Sequence, residues 1–141
     1  MILEKTHTTT VLESHTNKVS TNEVWSNGII FMKLKDNVQI EYEDSVNQFE
    51  FLKARAHGEH SCLVLVEAGR YTNISKEARE FSTQPEINLY TKATAVIVKS
   101  LAHRILINFI INFTRQQTMK MRMFDDKEKA IQWLLAFKHP K

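Results

Sequence analysis

The sequence predicts an α/β fold: a mixed β-sheet with antiparallel N-terminal edge strands and about four helices packed on it. Three observations lead there. The last third runs, by period, as a continuous apolar strand (Ala93 to Val98), an apolar helix (Leu101 to Phe113), an alternating strand (Met119 to Phe124) and an amphipathic helix (Lys127 to Phe137), the pattern of βαβ units. Ser61 to Glu67 is a second continuous apolar run, of the kind buried on both faces at a central parallel position. The first third is instead rich in Ser, Thr and Asn and carries Asn27-Gly28, a strong hairpin signal.

In chain order, short strand-like pieces around Val11-Leu12 and Val24-Trp25 read as edge strands, and Ile29 to Leu34 as the strand beyond the Asn27-Gly28 turn. Asp44-Ser45, with Gln48 three residues after Ser45, predicts a capping box opening a helix that carries Val46, Phe49, Leu52 and Ala56 and ends near Gly58. After the Ser61 to Glu67 strand, Ser75 is a good N-cap with Glu77 in the first turn, so a short helix runs from Lys76 to about Gln84 and stops at Pro85. In the helix Leu101 to Phe113 only Arg104, Asn108 and Asn112 form a polar line, so most of its circumference is expected to be covered. Asp125, with Glu128 three residues on, is expected to cap the last helix.

The chain has 141 residues, 43% of them hydrophobic, with three Gly and two Pro, as expected of one soluble domain spanning 1–141 with little linker. Its net charge of +3 comes from 19 basic and 16 acidic residues intermixed along the chain. Nothing resembles the row of cations that neutralises phosphates, so no nucleic-acid partner is expected. Ile105 to Phe113 is broken by Asn108, far short of the roughly 20 apolar residues of a membrane span. The start, Met1-Ile-Leu-Glu-Lys-Thr-His7, has no secretory pattern, and a cytoplasmic location is expected. The single cysteine, Cys62, sits among Leu and Val and reads as a buried, inert thiol.

Chemistry-bearing motifs are sparse. His57-Gly-Glu-His60 lacks the i, i+4 histidine pair of zinc hydrolases, so no metal is expected. No Gly-x-Ser-x-Gly turn presents a nucleophile, and Gly28, Gly58 and Gly69 stand too far apart for a phosphate-cradling loop. The expectation is a non-enzyme without cofactor.

The order Ser75-Lys-Glu-Ala-Arg-Glu80, Ala93 to Ser100, Ala102-His-Arg-Ile-Leu-Ile-Asn-Phe109 and Met123-Phe-Asp-Asp-Lys-Glu-Lys-Ala-Ile-Gln-Trp-Leu134 resembles the small bacterial SpoIIAA-like proteins of the STAS class. The closing element, Phe124, acids, then Ala130-x-x-Trp133-Leu134, is its most specific piece, and the likeness runs from about Ile29 to Phe137. The resemblance implies helices on a mixed sheet and a non-catalytic regulatory or protein-interaction module whose partner is unknown. Relatives of that class include antagonists switched by phosphorylation of a serine after a central strand, and binders of nucleotides or lipids. In place of the antagonists' Asp-Ser-Ser-Gly turn this chain has Glu67-Ala-Gly-Arg-Tyr-Thr-Asn-Ile-Ser75, making Ser75, then Thr72, the candidate phosphoacceptors.

The alternative function is binding of a small ligand, nucleotide or lipid head group. Its candidate residues are Arg70, Tyr71, Thr72 and Asn73, in a loop at the carboxyl end of a central strand where α/β sheets place ligands, and Arg104, whose guanidinium suits anions. The helix starts at Ser75 and Ser100 complete that reading. The surplus apolar surface of the Leu101 to Phe113 helix suggests a homodimer through Ile107, Ile110 and Ile111.

Overall fold

Residues 9–114 and 119–138 are described by the computed structural model, apart from the side chains of Phe109, Ile110, Phe113 and Thr114. They form, in order, β1 (Val11–Thr16), β2 (Ser20–Trp25), β3 (Ile29–Leu34), β4 (Gln39–Ile40), α1 (Tyr42–Arg55), β5 (Cys62–Glu67), β6 (Asn73–Ile74), α2 (Lys76–Ser82), a 3-10 turn (Pro85–Asn88), β7 (Thr91–Ile97), α3 (Leu101–Thr114), β8 (Lys120–Phe124) and α4 (Lys127–Leu135). The turn from β2 to β3 is local chemistry. Gly28 takes φ +95°, a region open to a residue without Cβ, and the Asn27 side-chain oxygen accepts from the Ile29 N–H at 3.1 Å.

Caps define the helix starts, two of them shifted from the sequence expectation. α1 opens at Tyr42, before the expected Asp44-Ser45, because Asp44 occupies the third helical position and its carboxylate accepts from the Glu41 N–H at 2.9 Å. Asp126, rather than Asp125, caps α4, accepting from the Glu128 and Lys129 N–H groups at 2.8 and 3.3 Å. Ser75 caps α2 as expected, accepting from Ala78 N–H at 3.1 Å.

The main sheet has the order β1-β2-β3-β5-β7-β8. The pairs β1·β2 and β2·β3 are antiparallel, and every pair from β3 onward is parallel. Each crossover, β3-α1-β5, β5-α2-β7 and β7-α3-β8, moves one place in the same direction. Right-handed crossovers then put α1, α2 and α3 on one face, while α4, which follows the last strand, folds back over the other.

Two cores result. On the α4 face Ile29, Phe31, Leu63, Leu65, Ala93 and Ala95 pack beneath Ala130 and Leu134, and Trp133 meets Phe124 and Phe137 with ring centroids 5.6 and 5.0 Å apart. On the three-helix face Ile30, Met32, Cys62 and Val64 pack against Phe51 and Leu52 of α1. The exposed strand β1 is tied to α1 by Arg55, which donates to Glu13 at 2.8 Å while lying over the Phe51 ring at 3.7 Å. Arg55, then His15, hold the Glu13 carboxyl below the usual carboxylate range.

The cover expected around α3 is only partial. It packs beside the edge strand β8, leaving Leu101 and Ile105 73% and 63% exposed. No helix among the described residues is long and apolar enough to cross a membrane.

Leu134, fully buried under the sheet, should lose about 2–5 kcal/mol of stability on substitution by Ala, read from denaturant melts. Cys62 is 5% exposed, and burial pushes its thiol above the ordinary range. Its labelling by a thiol reagent near neutral pH should be far slower in the native protein than in denaturant.

Candidate ligand-binding site

At the carboxyl edge of the sheet the loops after β3 and β5 are laced together. Asp36 accepts from the Arg70 N–H at 2.7 Å, the Asn37 N–H donates to the Arg70 carbonyl at 2.8 Å, and the Asn73 N–H donates to the Val38 carbonyl at 2.9 Å. The Thr72 hydroxyl donates to the Lys35 carbonyl at 2.9 Å. Gly69 permits this approach: a Cβ there would run into the Lys35 carbonyl and come within 2.7 Å of the Thr72 hydroxyl. A third element joins from α3, where His103 Nε2 lies 2.7 Å from the Thr72 carbonyl. A carbonyl only accepts, so Nε2 carries the proton and donates.

Between this laced loop and the start of α3 opens a cleft of about 620 Å³, walled by Glu67, Arg70, Tyr71, Asn73, Lys99, Ser100 and His103 among others. Glu67 is neutralised by Lys33 at 3.3 Å and Lys127 at 3.7 Å, so Arg70 and Lys99 leave the cleft with surplus positive charge. Ser100 caps α3, accepting from the His103 N–H at 3.1 Å. Tyr71 stands at the rim, 71% exposed, with φ +59°, a left-handed conformation uncommon for a bulky residue.

Deeper, two apolar cavities lie between the three-helix face and its helices. The larger, about 210 Å³, is bounded by sheet residues such as Met32, Val64, Thr94 and Val96 and by Phe49, Phe81 and Ile107 from the helices. The smaller, about 80 Å³, shares Val66, Val96 and Ile107 with it and shares Ala68, Asn73 and His103 with the cleft. The three spaces thus adjoin through common walls, from a cationic rim to an apolar interior.

A family model described as a domain of unknown function, DUF7793, matches residues 24–138. The chain belongs to the DUF7793 family. In structure it is similar to an uncharacterised DUF3478-family protein with a SpoIIAA-like fold from Shewanella loihica PV-4. That likeness has a TM-score of 0.57 at 13% identity and covers 89% of this chain and 93% of the other, which shows a SpoIIAA-like fold. No curated protein matches the sequence.

In this DUF7793 chain, Arg70, Tyr71 and Asn73 from the sequence-derived set stand on the cleft wall with Ser100. Thr72 is buried, its hydroxyl occupied inside the loop, and borders the smaller cavity. Arg104 is half-buried on α3 outside the cleft wall, and Ser75 is half-buried at its cap. Ile107 points inward to the cavities, Ile111 is half-buried, and the side chain of Ile110 lies outside the described residues. Sequence reasoning missed Lys99, His103 and the cavity walls. Lys99-Ser100, between a strand end and a helix cap, was the available signal for the first of these.

Gly69→Ala should destabilise the protein by about 1–3 kcal/mol, the usual cost of overpacking, because the neighbour it strikes is backbone. Thermal melts check this, and hydrogen exchange at Asn37 and Asn73 should quicken as the lacing opens.

Proposed function

We propose that this DUF7793 domain is a non-catalytic binding module for a small molecule. The ligand's apolar body lies between the sheet and helices α1 to α3, and its polar or anionic end stays in the cleft beside Arg70 and Lys99. The observation that carries the reading is the sequence of adjoining spaces from cationic rim to apolar interior, the combination of apolar walls and few convergent polar groups typical of ligand sites. Support for a non-catalytic role comes from the cleft's own groups. The Ser100 hydroxyl caps α3 and His103 Nε2 is held by the Thr72 carbonyl, so the two do not form a nucleophile–base pair.

Native mass spectrometry of the protein purified from the cell that makes it should show a bound small molecule. Val96→Phe, which places a ring where both apolar cavities meet, should remove the adduct without lowering the melting temperature. The double substitution Arg70→Ala, Lys99→Ala should weaken its retention. Wild-type protein that carries no adduct, with Val96→Phe indistinguishable from it, would sink the reading.

The exposed Leu101 and Ile105 favour a second reading, in which the outer face of α3 is an interaction surface, for a second copy among others. A 16.5 kDa species alone in sedimentation would remove self-association. A dimer that Ile105→Glu dissociates would support it.

A further inference from the structure

We infer that the larger inner cavity is built for an uncharged aromatic group bearing one hydroxyl or carbonyl, held by Thr91 and Thr94. The inference rests on the ligand-binding reading above and names the chemistry of the ligand's buried end.

Among the described residues the cavity wall contains no Asp, Glu, Lys, Arg or His. An ionised group placed there would lose its hydration with nothing to compensate, so the buried end of the ligand is neutral. The wall is nevertheless not purely apolar. Thr91 and Thr94 are 4% and 8% exposed and both line the cavity, and among the described residues neither hydroxyl is a buried atom left without a partner. Buried polar groups in native proteins are nearly always paired. Two hydroxyls that border one space offer a donor and an acceptor to a group that occupies it.

The sheet register shows how both come to that face. Thr94 lies beside Val64 and Thr91 beside Cys62, and the pairing slips by one residue between Cys62 and Leu63, whose partner is Ala93. Cys62 and Val64 belong to the three-helix face. The slip therefore turns Thr91 to the side that Thr94 occupies, as β-bulges re-aim side chains beside functional sites. Valine has nearly the shape of threonine and would bury more favourably at both positions in a strand that is otherwise, Lys92 apart, built of Ala, Val and Ile.

Size and wall chemistry narrow the group further. A dry apolar cavity of ~150 Å³ takes up benzene, so about 210 Å³ admits one substituted ring. Phe49 and Phe81 meet edge to face at 6.4 Å and 82° in the wall, and Met32, Met119 and Met121 bring three adaptable thioethers. Both kinds of side chain contact aromatic rings favourably.

The test uses p-cresol, toluene and p-toluate as probes on the full chain, followed by the methionine methyl NMR signals, which report occupancy at Met32, Met119 and Met121. p-Cresol should shift these signals and bind about three- to tenfold more tightly than toluene, the range of one net neutral hydrogen bond. p-Toluate should leave them unmoved. Thr94→Val or Thr91→Val should bring p-cresol down towards toluene while toluene itself is unchanged. Equal affinity of p-cresol and toluene for the wild type would overturn the inference and leave the ligand-binding reading standing. So would p-toluate shifting the methyl signals as p-cresol does, or both valine variants keeping the preference. Methyl signals that none of the three probes moves, together with no adduct on the native protein, would overturn both readings.

Discussion

The handedness of the strand crossovers governs the rest of this molecule. From β3 to β8 the chain advances across the sheet in one direction through three successive crossovers, and right-handed connections leave α1, α2 and α3 no choice of face. The opposite face is left to α4, one short helix. It fits closely because Ala93 and Ala95 present almost no side chain beneath it. The other face is covered by three separate helices of 14, 7 and 14 residues. The space they leave is the apolar cavity beneath them, so the cavity follows from the topology.

The same parallel strands bring their carboxyl ends to one edge, where the cleft forms. Its shape is imposed by backbone more than by side chains. The loops after β3 and β5 touch through the Gly69–Lys35 approach and exchange four hydrogen bonds between or with main-chain groups. The imidazole of His103 then pins α3 to the outcome. Ion pairing removes Glu67 from the balance of charge, so the basic character of the cleft arises as much from where Lys33 and Lys127 stand as from Arg70 and Lys99.

Local chemistry was legible wherever it is decided by a few adjacent residues. The Asn27-Gly28 reversal, the Ser75 cap, the burial of Cys62 and the edge position of the alternating strand β8 all followed from residue type and period. The caps of α1 and α4 shifted from the expected positions for a physical reason. Where two or more acceptors stand in a row, as at Glu41 to Ser45 or Asp125-Asp126, the backbone path selects among them, and that path is set by packing. α3 shows the opposite limit. Its composition demanded cover all round, yet its place beside an edge strand leaves Leu101 and Ile105 in solvent.

By itself the sequence determined the class of fold, the order of its elements and the station of Gly69 to Asn73 at the end of a central strand, because periodicity and turn residues act within a few positions of one another. Only the tertiary structure decided what that loop faces: Lys99 and His103 are about thirty residues away along the chain and reach it through a parallel pairing that no local signal encodes. Thr91 and Thr94 illustrate the same division. As residues they read as ordinary strand formers, and a single-residue slip in register between two strands gives them a common direction.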